Sequence, residues 1–134
     1  MPKIITISEA ASIAIHGMVL VARSGGMINV QHIATATQSS RHHVAKVFQR
    51  LVKENLVVSH RGPNGGFTIK KDPSGISLLN IYEAIEGEIE IGDCPLERPI
   101  CPFNKCLMGN VISEMTRGYI DYLSKQTLDQ YLEY

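Results

Sequence analysis

The chain alternates between stretches where apolar residues recur every three to four positions and one stretch where they follow a two-residue period. In residues 8–23, SEAASIAIHGMVLVAR, the residues Ile15, Met18, Val19 and Ala22 fall at helical spacing and predict an amphipathic helix. Ser8 is placed to cap it, Glu9 complements the dipole of its first turn, and Gly25-Gly26 ends it. Residues 29–37 read as a short helix capped by Asn29, and residues 38–40, QSS, as a polar turn. A stronger helix follows over 40–54, capped by Ser39 or Ser40. Val44, Val47, Phe48, Leu51 and Val52 form its apolar face, while Arg41, His42, Lys46, Gln49, Arg50 and Lys53 lie mainly off it. After Asn55 the period changes. LVVSH (56–60) and FTIKK (67–71) read as two strands around the turn RGPNGG (61–66).

A short helix, a tight polar turn and a basic amphipathic helix make a helix-turn-helix pattern, and the hairpin adds a wing. The second helix would enter a DNA major groove by its N-terminal end. Arg61 and Asn64 sit at the wing tip among glycines that allow close approach to a phosphate or a narrow groove. Beyond the turn at 72–75, residues 77–86 read as a helix capped by Ser77, with Leu78, Ile81, Tyr82 and Ile85 apolar. Residues 107–124 carry a long apolar stripe through Leu107/Met108, Val111/Ile112, Met115, Tyr119 and Tyr122/Leu123. The stripe either folds back onto its own domain as core or forms a homodimer contact, and a helix this long exceeds what a small winged domain needs to bury, which points to the dimer. Residues 127–134 are read as a further short helix. The expected fold is mainly α with a small β-hairpin wing. A winged helix-turn-helix DNA-binding domain spans 1–90, a cysteine loop 91–106, and a dimerisation helix with its tail 107–134.

With 134 residues and 44% apolar side chains, the chain suits one compact domain with room for one protruding element. No apolar run is long enough for a bilayer, and the N-terminus lacks the succession of a signal peptide, so the expected location is the cytoplasm, with no membrane partner. The net charge of zero hides an asymmetry. Residues 1–71 hold nine Lys/Arg and two Asp/Glu, residues 72–134 hold four and eleven, and all five histidines are in the first half. The basic half is the one suited to an anionic partner such as double-stranded DNA. No phosphate loop, HExxH or Ser/His/Asp grouping suggests an enzyme.

All three cysteines lie in one stretch, Cys94, Cys101 and Cys106, spaced C-x₆-C-x₄-C. This matches neither a paired zinc knuckle nor a ferredoxin run. Crowded thiolates repel, so a cation among them is expected, and iron and zinc both suit sulfur. A redox thiol pair with a spare cysteine, or three buried small hydrophobes, are the other readings.

The segment LVKENLVVSHRGPNGGFTIKKDPSGISLLNIYEAIEG resembles the Rrf-two family of bacterial winged-helix transcription regulators. The likeness rests on the wing Arg-Gly-Pro-x-Gly-Gly-aromatic, the Asp-Pro turn and the helix ending in Glu-Gly. It extends to SIAIHGMVLVA and the cysteine loop. The resemblance implies a homodimer built on the last long helix, reading a pseudo-palindromic operator and usually repressing. Arg41, His42, His43 and Lys46 would face bases and major-groove phosphates, flanked by Ser40 and Arg50, and Arg61 and Asn64 would reach toward the minor groove. One of the two histidines is alternatively expected against the wing. Cluster-binding members of the family sense redox state, nitric oxide or iron–sulfur status. The resemblance therefore implies an iron–sulfur cluster (2Fe-2S or 4Fe-4S) on the three cysteines. The metal ligand some members place just after the third cysteine is absent, since Leu107-Met108-Gly109-Asn110 stand there. Other members reach into the first helix, often of the partner subunit; the matching positions are Ser12 and His16, which makes His16 the candidate fourth ligand. Glu9, Asp93 and Glu97 are lesser candidates, and so is an exogenous ligand such as water or a small thiol. The competing readings are a regulator of the same family using thiols or zinc, and an interaction adaptor that does not bind DNA.

Overall fold

The computed structural model of the chain describes residues 1–92, 94, 96 and 100–133. Asp93 and Glu97 lie outside the described residues. The elements run α1 Glu9–Ser24, α2 Val30–Thr37, α3 Arg41–Lys53, β1 Val57–His60, β2 Gly66–Ile69, α4 Leu78–Glu86 and α5 Val111–Lys125, with a 3-10 turn at Leu128–Tyr131. The mainly helical architecture with a two-stranded wing is the one expected.

The first four helices begin where their caps predict. Ser8, Asn29, Ser40 and Ser77 each accept a backbone N–H of the first turn through the side chain, and Ser77 with Asn80 completes a capping box. Such a cap contributes about 1 kcal/mol. The helix-turn-helix closes at Gln38, which takes left-handed backbone (φ 54°), and α3 is followed by Asn55 in the same region (φ 63°).

The core is a single cluster in which α1 lies against α2, α3 and α4. Met18, Ile33, Val44, Phe48, Leu51, Ile76 and Ile81 are fully buried, each contributing about 1.5–3 kcal/mol relative to exposure. The inward face of α1 keeps Met18 and Ala22 of the expected stripe and adds Ala11, Ile13, Ala14 and Val21, while Ile15 and Val19 are half-buried and pack against the core cluster. Both sets satisfy a helical period, and packing selects between them.

The wing is fixed to the body by a contact the sequence did not announce. Ile28, in the α1–α2 linker, exchanges two hydrogen bonds with Phe67: Ile28 N–H donates to the Phe67 carbonyl at 3.0 Å, and Phe67 N–H to the Ile28 carbonyl at 2.8 Å. A Cβ on Gly66 would lie 2.3 Å from the Ile28 carbonyl oxygen. Backbone approaches this close at that position only because glycine stands there. Gly66→Ala is therefore expected to cost about 1–3 kcal/mol in urea denaturation. An unchanged midpoint would show that the bridge does not hold the wing.

The helix expected over 107–124 starts at Val111, because Gly109 turns the chain with φ 59° and Asn110 makes no side-chain cap. At 15 residues α5 is about 22 Å long. Its stripe divides. Leu123 is buried and Ile112 and Tyr119 half-buried, with Tyr119 edge-on to Tyr82 of α4 at 6.3 Å. Burial there pushes the Tyr82 phenol up, with Glu86 and Tyr119 adding to it. Val111, Met115 and Tyr122 remain exposed. The tail returns to the body: Leu128 is fully buried and donates its N–H to the Ile76 carbonyl at 3.0 Å, while Leu78 donates to Gln126 at 2.8 Å.

Candidate nucleic-acid interface and cysteine loop

The start of α3 presents a basic surface. Ser40 is its N-cap and accepts the His43 N–H at 3.1 Å, so its oxygen is engaged in holding the helix. Arg41, His42, Lys46 and Arg50 are exposed. His42, Lys46 and Arg50 are four residues apart and share one face of the helix. His43 is different: its Nδ1 stands 3.4 Å from the Glu9 carboxylate, at the first turn of α1. The histidine that packs inward therefore meets α1 and not the wing. Asn64 is exposed at the hairpin tip. Arg61 lines a notch of about 410 Å³ together with Arg41, Gln31, His60 and the wing glycines, so the structure brings the recognition helix and the wing to one concave surface. His60 is the residue of this surface that the sequence pattern hid, since it closes an apolar-led strand.

The root of the cysteine loop is tied to the same region. The Ser8 hydroxyl donates to the Glu86 carboxylate at the end of α4, across 78 positions of sequence. Glu9, the next residue, is the partner of His43. Ser8, the N-cap of α1, and Glu9, its first residue, thus link the end of α4, five residues before the cysteine loop, to the first turn of α3.

The three cysteines are exposed free thiols. Among the described residues, no three His, Cys, Asp or Glu side chains converge enough to hold a metal ion. The donor chemistry nonetheless fits a sulfur-ligated metal group: three uncommitted thiols share one loop, flanked by exposed Ile91, Leu96, Ile100, Phe103 and Leu107. Gathering them requires the loop to be drawn together or a second chain to join it. His16 is exposed on α1 and lines an open cavity of about 810 Å³ with Ser12, Ile15, Val19 and Tyr131. Its Nδ1 lies 2.7 Å from the Ser12 carbonyl. A carbonyl only accepts, so Nδ1 carries the proton, and in the neutral ring Nε2 keeps its lone pair. Nε2 is thereby left able to accept a hydrogen bond or to meet a metal ion. Ser12 itself offers no comparable ligand.

Residues 7–134 match the family model described as "Rrf2: Iron-dependent Transcriptional regulator". The chain is 28% identical over 107 residues to the HTH-type transcriptional regulator NsrR of Bacillus licheniformis, covering 78% of this chain and 75% of the relative. It is 26% identical over 103 residues to the HTH-type transcriptional regulator IscR of Yersinia pseudotuberculosis, covering 77% of this chain and 63% of that protein. Among solved structures, CymR (YrzC), the global cysteine regulator of B. subtilis, superposes with a TM-score of 0.78 at 21% identity over 98% of both chains. IscR of T. potens superposes with a TM-score of 0.75 at 21% identity over 96% of this chain and 87% of the other. These two likenesses concern the fold.

Proposed function

We propose, from the premise that this chain belongs to the Rrf2 (Rrf-two) family of transcriptional regulators, that it is a homodimeric sensor whose cysteine loop governs DNA binding. It is a DNA-binding transcription regulator and not an enzyme. The finer reading is that Cys94, Cys101 and Cys106 hold an iron–sulfur cluster, with His16 of the partner chain as fourth ligand. Bound there, such a cluster would supply reactivity toward oxidants or nitric oxide. The observation that carries the proposal is the link from the loop root to the recognition helix through Ser8–Glu86 and Glu9–His43.

The chain's own residues do the rest. Basic side chains on the outer face of α3 neutralise phosphates and release counterions, which supplies sequence-independent affinity. Arg41 or Lys46 reads a guanine edge through O6 and N7. When the 87–109 segment is held, Glu86 and Ser8 keep the N-terminus of α1 in place, and Glu9 fixes His43 and with it the start of α3. When the segment is released, that restraint weakens and the presentation of α3 changes. Working on DNA places the regulator in the cytoplasm, and among the described residues no helix is long and apolar enough to cross a membrane. Repression through a pseudo-palindromic operator is the expected mode.

Anaerobic purification tests the sensing step. The wild type is expected to be coloured and to contain iron and sulfide, Cys101→Ala to lose both, and His16→Ala to keep bound iron with an altered spectrum. A colourless protein carrying stoichiometric zinc, or metal-free thiols that oxidise reversibly, would replace the cluster with the zinc or thiol reading. The exposure of all three thiols favours these as the second choice. A wild type without salt-dependent affinity for duplex DNA would leave the adaptor reading.

A further inference from the structure

We propose that the notch between α2, the start of α3 and the wing seats one backbone phosphate of the DNA duplex, and that His60 is a phosphate-binding residue there. The inference rests on the DNA-binding reading above and adds a ligand site and a residue to it.

The notch holds about 410 Å³, and the side chains around it include Gln31, Arg41, His60 and Arg61, with no carboxylate. Arg41 and Arg61 are exposed, and neither takes part in the ion pairs present among the described residues, which are His43–Glu9 and Lys125–Asp121. Two guanidinium groups left unpaired around one concavity form a site for an anion. His60 Nε2 is 2.9 Å from the Thr68 hydroxyl. When that hydroxyl donates, the neutral ring keeps its proton on Nδ1 and has a donor to spare. Gly62 lines the notch as well, and a Cβ added there would meet nothing within 4 Å, so that side is open to a phosphate. The first turn of α2 is already capped, with the Asn29 side chain accepting the His32 N–H at 2.8 Å.

The position of the notch identifies the anion. With α3 in a major groove and the wing toward the adjacent minor groove, the sugar–phosphate strand dividing those grooves must cross between the two elements. The notch lies between them, with Arg41 contributed by α3 and His60 and Arg61 by the hairpin. A phosphate held there sets the register of both elements on the duplex without reading sequence. The wing's attachment to Ile28 keeps the two sides of the notch at a fixed separation.

Fluorescence anisotropy with mixed-sequence, AT-rich and GC-rich duplexes across a KCl series provides the test. His60→Ala is expected to weaken binding about five- to tenfold, by the same factor on all three duplexes, with an unchanged melting temperature. Arg41→Gln and His60→Ala combined should lose less than the product of the single losses, because no direct bond joins the two residues and their coupling runs through the shared phosphate. The site is refuted if His60→Ala binds within twofold of wild type, if the two losses multiply, or if the loss depends on base composition. A wild type that binds no duplex at all would instead overturn the DNA-binding reading itself.

Discussion

Truncating Phe48 to alanine is expected to remove about 3–5 kcal/mol of stability, a large share of the roughly 5–15 kcal/mol available to a domain of this size. Phe48 is fully buried in α3, and its ring lies 4.8 Å from that of Phe67 in the wing. On its other side it meets α1, where a Cβ on Gly17 would stand 2.7 Å from the ring edge and so has no room. One side chain therefore joins the recognition helix to the helix behind it and to the wing in front. Its loss opens a cavity at the meeting point of three elements, which backbone hydrogen bonds prevent from collapsing. Urea denaturation followed by circular dichroism should show a lower midpoint with an unchanged slope. Phe48→Leu, which fills most of the volume, should recover more than half of the loss. A Phe48→Ala cost below about 1 kcal/mol would mean that α3 and the wing are held by other contacts.

Much of this architecture was legible because its signals are local. A cap needs only a serine or asparagine within three residues of the N–H it accepts, so Ser8, Asn29, Ser40 and Ser77 mark their helices from sequence alone. The hairpin is likewise set by its own turn. Long-range choices were not legible. Ile15 and Val19 fit a helical stripe as well as Ile13 and Ala14 do, and only the placement of α2, α3 and α4 decides which side is buried. Ile28 pairs with Phe67 across 39 positions, and no periodicity encodes that bridge. The apolar pattern at 107–110 continues that of α5, yet Gly109 adopts a left-handed turn and ends the register early.

The candidate site divides in the same way. Three cysteines in thirteen residues are visible in any reading of the chain, and so is the basic face of α3. Glu9 was legible only as a residue suited to a helix N-terminus; its pairing with His43 depends on how α1 crosses α3. Glu86 was an acidic residue near the end of a helix until the fold placed Ser8 against it. In the proposed mechanism these two contacts are the route from the loop to the recognition helix.

Replacing Met115 and Tyr122 together by lysine is expected to convert the proposed homodimer into a monomer. Val111, Met115 and Tyr122 lie on the exposed side of α5, and Tyr122 is 57% exposed in the single chain. Gly118 lies on the same side, and a Cβ there would meet nothing within 4 Å. A helix with apolar residues flanking an open glycine can bring a second backbone close, and the other side of α5 already faces α4 through Tyr119. A second copy of the same helix supplies the matching apolar stripe, as two-fold contacts require. Two lysines on that stripe would place like charges against each other across the axis. Because both positions are exposed in one chain, the fold should lose no more than about 0.5 kcal/mol. Light scattering after gel filtration should give the mass of one chain. On a pseudo-palindromic duplex selected from a random pool, affinity should fall about 10²- to 10⁴-fold, since the second half-site no longer benefits from effective concentration. On a single half-site it should stay the same. A double variant that remains dimeric would place the interface elsewhere, and a dimer lost without loss of affinity would mean that each protomer reads DNA alone.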